Sequence, residues 1–372
     1  MAGLVLGLLL ASCTSPGQRA PGPPSGGTAS PPATPATTPS PSPRSTAIRP
    51  ALVLTADVRQ RPAGWRRVAF IPFGPAVADL GIELPPLHTS VPLVPRSFTL
   101  GPDGTLWILD SEKARIAHFT KDGRYLGAIG GLVIDRLHPR PRDLAFWEGR
   151  LVVLHELDLA ASFRSVRAGR LGPDVPLRDA TGRRLGLLYV YPSRSVGFGL
   201  SDGYTTLDLL GSGPHGVGRI LPGTPARFLP TPGLPIGRGA WLGIGAYRQQ
   251  SFRLVSTASS EVVVQPIRLR LRVGGTHPRD VPAIFSEHFE GVASGAGLFL
   301  VQGSTAEASD ARGNRGGRWF LRYPTDGSPL VWERLPEPVV SDEYQIRHLA
   351  TDAVGDVFFM AALRSGVAIY ER

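Results

Sequence analysis

Residues 96–129 read RSFTLGPDGTLWILDSEKARIAHFTKDGRYLGAI, in which four short apolar runs are separated by tight polar turns. Asp-Gly occurs at two of these turns, beginning at Asp103 and Asp122. It is a strong hairpin signal because both central residues of a type I′ turn need a positive φ. The stretch therefore predicts a four-stranded antiparallel meander. Since a single meander leaves its faces uncovered, we expect stacked copies of it elsewhere in the chain.

Copies of the opening signature recur along the chain. The signature is an Arg, any residue, an apolar residue, a small residue and an apolar residue or Thr, and a Gly seven to nine residues after the Arg starts the next apolar run. The copies begin at Arg96, Arg142, Arg194, Arg347 and, with Glu in the first place, Glu290. Steps of 46 and 52 residues and a span of 153 leave room for six units, the fourth lying between residues 222 and 275. Four strands in roughly 40–50 residues is the size of a propeller blade.

The run from Leu106 to Gly123 resembles an NHL repeat. That repeat has an apolar strand, Asp-Ser, a short loop, Arg-Ile and a strand closing on Asp-Gly, and the chain supplies Asp110-Ser111 and Arg115-Ile116 in those places. The resemblance implies an all-β fold. More specifically, it implies a six-bladed β-propeller, NHL-like or TolB-like, built from four-stranded antiparallel blades. Propellers carry many unrelated functions, so the resemblance implies little about activity.

The composition also predicts an all-β class. Hydrophobic residues make up 42% of the chain, Gly (45) and Pro (37) are abundant, and few long stretches show a helical period. The net charge is +10, and only Lys113 and Lys121 are Lys. This Arg-rich usage is typical of a GC-rich genome. No basic run is interleaved with aromatic residues, so we expect no nucleic-acid partner.

The N-terminus predicts export and a lipid anchor. Residues 1–12 form a short apolar segment with the length of a signal-peptide core, and Leu10-Ala-Ser-Cys13 resembles a bacterial lipobox. The resemblance implies cleavage before Cys13 and diacylation of its thiol, which would hold the protein at the cell membrane on its extracytoplasmic side. The alternative is an ordinary secretory signal with a bystander cysteine. Cys13 is the only cysteine, so no disulfide stabilises the fold.

The rest of the chain divides into a stalk and a domain. Residues 13–50 are nearly all Pro, Ser, Thr, Gly and Ala, which predicts a disordered stalk. Residues 51–372 form the predicted propeller, and we expect a monomer. The last repeat ends before an outer strand, so we predict that a strand from residues 51–73 pairs there and closes the ring.

Two further stretches carry specific expectations. Glu261–Val273 ends in strict alternation of Arg and apolar residues, which predicts an outer strand whose exposed edge carries charge. Reading Arg268, Arg270 and Arg272 as a nucleic-acid stripe is the less favoured alternative. Ser304–Gly317 is polar and Gly-rich, which predicts a long loop between strands of the fifth unit.

The signature residues form the candidate ligand site. In a propeller the innermost strands begin at one mouth of the central channel, so Arg96, Arg142, Arg194, Arg347 and Glu290 would converge there, with Arg227 or Arg238 in the fourth place. Loops nearby would contribute Asp110 and His155. Several guanidinium groups at one mouth favour carboxylate or phosphate ligands, and hence a small anionic ligand or a protein partner. The alternative is that each Arg pairs internally and joins neighbouring blades.

Enzyme signals are weak. The gluconolactonase-like six-bladed relatives hold a divalent metal with Glu, Asn and Asp, whereas the only Asn here is Asn314, in a predicted loop. His155 and Glu156 would point to opposite faces of a strand, so no metal site is predicted there. We therefore expect no metal, no cofactor and no catalytic residue. The prediction is a binding or scaffold module, and the alternative is a propeller enzyme, a hydrolase or lactonase acting on a polar sugar-type substrate.

Overall fold

Strands are the only regular secondary structure in the described part of the chain, as the sequence predicts. The computed structural model describes residues 46–59, 64–82, 94–130, 132, 140–157, 160–185, 198–201, 204–207, 217–221, 223–231, 234–237, 240–243, 251–256, 262–273, 279–282, 289–292, 298–302, 318–322, 331–335, 349–352 and 354–372. These residues all belong to one unit, Arg44–Arg372. No helix within them is long and apolar enough to cross a membrane.

The strands of this unit are short, and the longest has 12 residues. They are, in chain order, β1 (Thr46–Ile48), β2 (Leu52–Arg59), β3 (Arg66–Pro72), β4 (Ser97–Leu100), β5 (Leu106–Asp110), β6 (Arg115–Phe119), β7 (Tyr125–Ile129), β8 (Arg140–Trp147), β9 (Arg150–Leu157), β10 (Ala160–Arg167), β11 (Arg170–Leu171), β12 (Val175–Arg178), β13 (Phe198–Ser201), β14 (Tyr204–Leu207), β15 (Val217–Leu221), β16 (Ala226–Pro230), β17 (Leu234–Gly237), β18 (Ala240–Gly243), β19 (Ser251–Ser256), β20 (Val262–Val273), β21 (Arg279–Pro282), β22 (Phe289–Val292), β23 (Leu298–Gln302), β24 (Arg318–Arg322), β25 (Val331–Arg334), β26 (Leu349–Thr351), β27 (Val357–Ala362) and β28 (Gly366–Glu371).

The meander predicted from residues 96–129 is confirmed. Strands β4 to β7 form a separate four-stranded antiparallel sheet in chain order. The predicted turn type is wrong, because only the Gly of each Asp-Gly pair, Gly104 or Gly123, has a positive φ. Two successive residues with positive φ occur instead at Glu148-Gly149 and Ala168-Gly169, the β8–β9 and β10–β11 turns. That is the type I′ pattern, whose twist matches a two-residue hairpin.

Five further sets of four strands pair in the same antiparallel manner. They are β8-β9-β10-β12, β13 to β16, β17 to β20, β22 to β25, and β26-β27-β28 with β3. In the last set β3 pairs with β28 from Pro72 opposite Gly366 to Arg66 opposite Glu371. A strand from the N-terminal part of the domain is thus the fourth strand of the C-terminal sheet.

Neighbouring sets are in contact through their first strands. Strand β22 contacts β26, β26 contacts β4, β4 contacts β8, and β8 contacts β13. Apolar side chains from neighbouring sets belong to common buried clusters: Phe98 and Phe358 share one, Leu109 and Val153 a second, and Leu154 and Phe228 a third. Burying each such side chain stabilises the fold by about 1.5–3 kcal/mol.

Parallel pairs join some of these sets into larger sheets. Strand β2 runs parallel to both β20 and β25, β1 runs parallel to β20, and β12 runs parallel to β16. The alternating arginines of β20 are exposed, as one wet face predicts. The prediction of an open edge for Glu261–Val273 is wrong, since β20 has β19 and β21 on one side and β1 and β2 on the other. Strand β1 lies within the predicted stalk, so β structure begins before residue 51.

Candidate functional site

A buried polar link joins β4 to β8. The hydroxyl of Ser97 donates a hydrogen bond to the carboxylate of Asp143, and both side chains are fully buried. The amide of Leu144 donates to the same carboxylate oxygen over 2.9 Å. Ser97 follows Arg96 and Asp143 follows Arg142, so both occupy the second position of the signature, where any residue is allowed. The polar character of that position in two successive copies was the available signal.

The structure describes only part of the predicted site. Arg96 is half-buried and its amide bonds to the carbonyl of Leu109 over 3.1 Å, while Arg142 is buried and lies at a register shift between β8 and β9. Glu290 lies on β22 opposite Leu300. Arg227 is exposed on β16, the last strand of its set rather than the first. The other predicted residues lie outside the described residues: Cys13, Arg194, Arg347, Arg238 and Asn314. Their convergence at one mouth remains a prediction.

Asp110 holds the first meander together. It is fully buried at the end of β5, and its two oxygens accept hydrogen bonds from the Gly81 amide, over 3.0 Å, and from Arg115 Nε, over 2.9 Å. The same guanidinium donates to the carbonyls of Val77 and Asp79. Asp110 and Arg115 thus hold the segment that follows β3 against this sheet. Both oxygens of Asp110 accept hydrogen bonds.

His155 lies in a different environment. It is 2% exposed on β9, with Ser162 of β10 directly opposite on one side and Pro141 of β8 on the other. Within the part of the chain that the structure describes, neither ring nitrogen has a hydrogen-bond partner, and the buried hydroxyl of Ser162 has none. Two positions further along β10, Arg164 forms an ion pair with Asp174 over 2.8 Å. Arg164 Nε and Asp174 Oδ1 likewise have no hydrogen-bond partner. We call these four residues the His155 cluster.

Burial decides the charge of this histidine. Loss of hydration lowers the pKa of His155 to about 4; the Asp174 carboxylate acts in the opposite direction, and Arg164 adds to the lowering. The imidazole is therefore neutral at pH 7, with one ring nitrogen as donor and the other as acceptor. The cluster reaches the surface at its other end, where the Arg164 and Asp174 side chains are 24% and 23% exposed.

Within the described residues, several buried polar atoms of the His155 cluster have no hydrogen-bond partner. Each buried polar atom without a partner costs about 1–3 kcal/mol, so sites of this kind are completed by ordered water or by a polar ligand. A Ser, a His and an Asp also have the composition of a nucleophilic triad. No hydrogen bond joins Ser162 to His155, however, so the arrangement that activates a nucleophile is not formed. Among the described residues, no three His, Cys, Asp or Glu side chains are placed to hold a metal ion.

Comparisons with known proteins give weak likenesses. Residues 63–134 match a family described as a domain of unknown function (DUF7485), too short a part of the chain to assign it to that family. No curated protein matches the chain. A putative exported protein (BF0058) from Bacteroides fragilis is 8% identical with a TM-score of 0.41, over 86% of this chain and 99% of that one. XC5397, a gluconolactonase from Xanthomonas campestris, is 15% identical with a TM-score of 0.34, over 87% of this chain and 98% of that one.

A third solved structure is virginiamycin B lyase from Staphylococcus aureus, which is 11% identical with a TM-score of 0.33 over 74% of this chain and 94% of that one. Identities and TM-scores this low support no conclusion about the fold or the activity of this chain. The strand pairing and the side-chain contacts described above rest on the chain's own structure.

Proposed function

We propose that the domain is a six-bladed β-propeller in which β3 closes the ring. The support is the pairing of six four-strand sets and the sequential contact of five first strands. Deleting residues 51–73 should expose the edge of β28 and give insoluble or molten protein, because an open strand edge pairs with other chains. A deletion variant that stays monomeric with an unchanged melting temperature would refute the closure.

Export and anchoring through Cys13 are the second part of the proposal. The lipobox resemblance and the position of the only cysteine support it. Wild-type protein should fractionate with membranes and incorporate labelled fatty acid, and Cys13→Ala should abolish both. Retention of the label in Cys13→Ala would contradict diacylation at this residue.

The proposed activity is binding of a small polar ligand at the His155 cluster, with anionic ligands favoured by the Arg164 guanidinium. The observation that carries it is the group of buried donors and acceptors on adjacent strands that have no protein partner. A ligand with a carboxylate or phosphate and a hydroxyl can occupy both kinds of atom, since neutral imidazole and hydroxyl groups each donate and accept.

Calorimetric titration of small hydroxy acids, sugar acids and sugar phosphates tests this activity. His155→Leu and Ser162→Ala should each weaken binding by about tenfold or more, the loss expected for one or two hydrogen bonds. Ser111→Ala is the matched control, because the Ser111 hydroxyl is also buried and without a partner but lies in the β5–β6 turn. Equal effects of Ser162→Ala and Ser111→Ala would place the ligand elsewhere.

A second candidate is a hydrolase at the same cluster, which has the residue types Ser, His and Asp but no hydrogen bond between Ser162 and His155. Turnover of aryl esters and sugar lactones that disappears in Ser162→Ala but not in Ser111→Ala would support it. Binding without turnover would leave the binding module as the function.

A further inference from the structure

One face of β20 combines cations with exposed apolar residues. Arg268, Arg270 and Arg272 are exposed on this face. Val53 on β2 lies directly opposite Arg268, and Ile48 on β1 lies directly opposite Val264. Val264 precedes Arg268 by four residues, so Val53 and Ile48 are on the same face of the sheet as Arg268. Ile48 and Val53 are 75% and 52% exposed. We call these five exposed residues, Ile48, Val53, Arg268, Arg270 and Arg272, the β20 face.

The positive charge is concentrated at two of the arginines. Arg272 lies opposite Asp57 on β2 and Asp280 on β21, so acidic residues flank it on both sides. Arg268 lies opposite Val53 and Ser251, which carry no charge. Arg270 lies opposite Thr55 and Pro282. Among the described residues, neither Arg268 nor Arg270 has an ion-pair partner.

Cations beside exposed β-branched side chains suit the surface of an anionic bilayer. The guanidinium groups bind phosphate in the headgroup layer, with about 1 kcal/mol gained per cation near the surface. The apolar side chains enter the boundary between headgroups and acyl chains, where their burial adds to the electrostatic attraction.

The chain path places this face next to the tether. Strand β1 pairs with β20, so the chain N-terminal to Thr46 enters this sheet beside the β20 face. Residues 14–45 of the predicted stalk would connect it to Cys13. These 32 residues would span about 30 Å as a random coil and about 100 Å as an extended polyproline helix. This step rests on the proposed anchoring at Cys13. A tether of that reach keeps the face at a high effective concentration relative to the bilayer.

We propose that the β20 face docks on the membrane and binds anionic phospholipid headgroups. The tether would then hold the domain down on the bilayer in one orientation, and the rest of the domain surface would face away from the lipid. The occupant is a lipid surface rather than an acidic protein, because the chain enters the domain beside this face from the proposed anchor.

Vesicle co-sedimentation of the full chain carrying Cys13→Ser tests the docking without the lipid anchor. This protein should bind vesicles containing 30% phosphatidylglycerol at 0.1 M salt, and should bind pure phosphatidylcholine vesicles far more weakly. Arg268→Gln with Arg270→Gln should weaken binding about 30-fold, the effect of two cations at about 1 kcal/mol each. Ile48→Ser should weaken it further.

The matched control is Arg167→Gln with Arg170→Gln, two exposed arginines paired across the β10–β11 hairpin, which removes the same net charge elsewhere. Equal losses in the two double variants, or no vesicle binding by the Cys13→Ser chain, would overturn the proposal. So would a concentration-dependent dimer that Arg268→Gln with Arg270→Gln disrupts, since the face would then bind a second copy. If the wild-type protein is not acylated in cells, only the proposed anchor at Cys13 is refuted. The vesicle assay still tests the docking, because it uses protein without a lipid on Cys13.

Discussion

Asp110 and His155 occupy corresponding places in two successive meanders, yet only the polar atoms of Asp110 have hydrogen-bond partners among the described residues. Both Asp110 oxygens accept hydrogen bonds, from Gly81 and Arg115, whereas neither His155 nitrogen has a partner. Both residues are buried, at 0% and 2% exposure. The same place in the repeat therefore serves as a structural fastening in one unit and as a candidate binding site in the next.

Asp110→Asn should destabilise the protein strongly. The substitution leaves Arg115 buried without its carboxylate, and breaking one partner of a buried pair costs about 3 kcal/mol. Glu371→Gln makes the same chemical change at a carboxylate that is 11% exposed but whose partners, Arg66 and Lys121, are 75% and 44% exposed. It should cost about 1 kcal/mol. Urea denaturation at pH 7 measures both. Similar losses for the two variants would show that the burial of the Asp110 pair has no energetic consequence.

Acidification should destabilise the protein through His155. The folded-state pKa of about 4 lies below the ordinary 6.5, so the unfolded chain binds more protons between these values and stability falls as the pH drops through this window. The loss between pH 7 and pH 5 should be about 2 kcal/mol.

Denaturation of wild type and His155→Leu at several pH values tests this. The variant should keep only a shallow slope, part of it from His118, whose pKa is also lowered by burial. Glu371, whose pKa is lowered chiefly by the hydrogen bond from Lys121, affects stability around and below its ordinary pKa of 4.5, and so below the range from pH 7 to pH 5 that is compared. Identical slopes above pH 5 would mean that His155 is not buried in neutral form.

Adjacent residues of β3 should differ in their importance. Ile71 is 1% exposed and packs in the cluster between the first and last sheets, whereas Phe70 is 39% exposed. Ile71→Ala should cost about 2–4 kcal/mol through lost burial and the cavity left behind. Phe70→Ala should cost about 1 kcal/mol or less, since much of its ring already contacts water. Thermal and urea unfolding compare the two, and a larger loss for Phe70→Ala would mean that β3 presents its other face to the core.

Gly218 should not tolerate a side chain. A Cβ there would lie 2.7 Å from the carbonyl of Leu229 and would overlap the buried ring of Phe228, so Gly218→Ala should cost about 1–3 kcal/mol. Gly130→Ala is the control, since nothing lies within 4 Å of the corresponding Cβ. Equal melting temperatures for the two variants would indicate that β15 and β16 are less closely packed than described.

Much of the strand pattern could be predicted from local sequence. Alternating apolar runs and Gly-containing turns placed the first meander correctly, because hydrogen bonds between successive strands depend on residues close in the chain. The partners of β20 could not be predicted in this way. Its Arg-apolar alternation is compatible with an exposed edge, but β1 and β2 come from more than 200 residues away and cover that side.

The candidate site was predicted only in fragments. Asp110 and His155 were predicted on loops near the channel mouth. That placement is wrong, because Asp110 lies on β5 and His155 on β9, and the sequence did not distinguish the two residues. The two residues differ in hydrogen bonding because their neighbours differ. Arg115 on β6 lies directly opposite Asp110, whereas Ser162 on β10, which has a short side chain, lies directly opposite His155. Hydrogen-bond satisfaction depends on distances of a few tenths of an ångström, which spacing in the sequence does not specify.

The sequence by itself determined an all-β chain and the local meander of residues 96–129, because turn conformation and strand period are properties of a few consecutive residues. The sequence also predicted that a strand from residues 51–73 pairs with the last repeat, which β3 does. Only the tertiary structure decided that β20 is covered and that, within the described residues, the ring nitrogens of His155 have no hydrogen-bond partners. Those outcomes depend on which distant strands meet, and their free energy comes from packing and from hydrogen bonds between residues far apart in the chain.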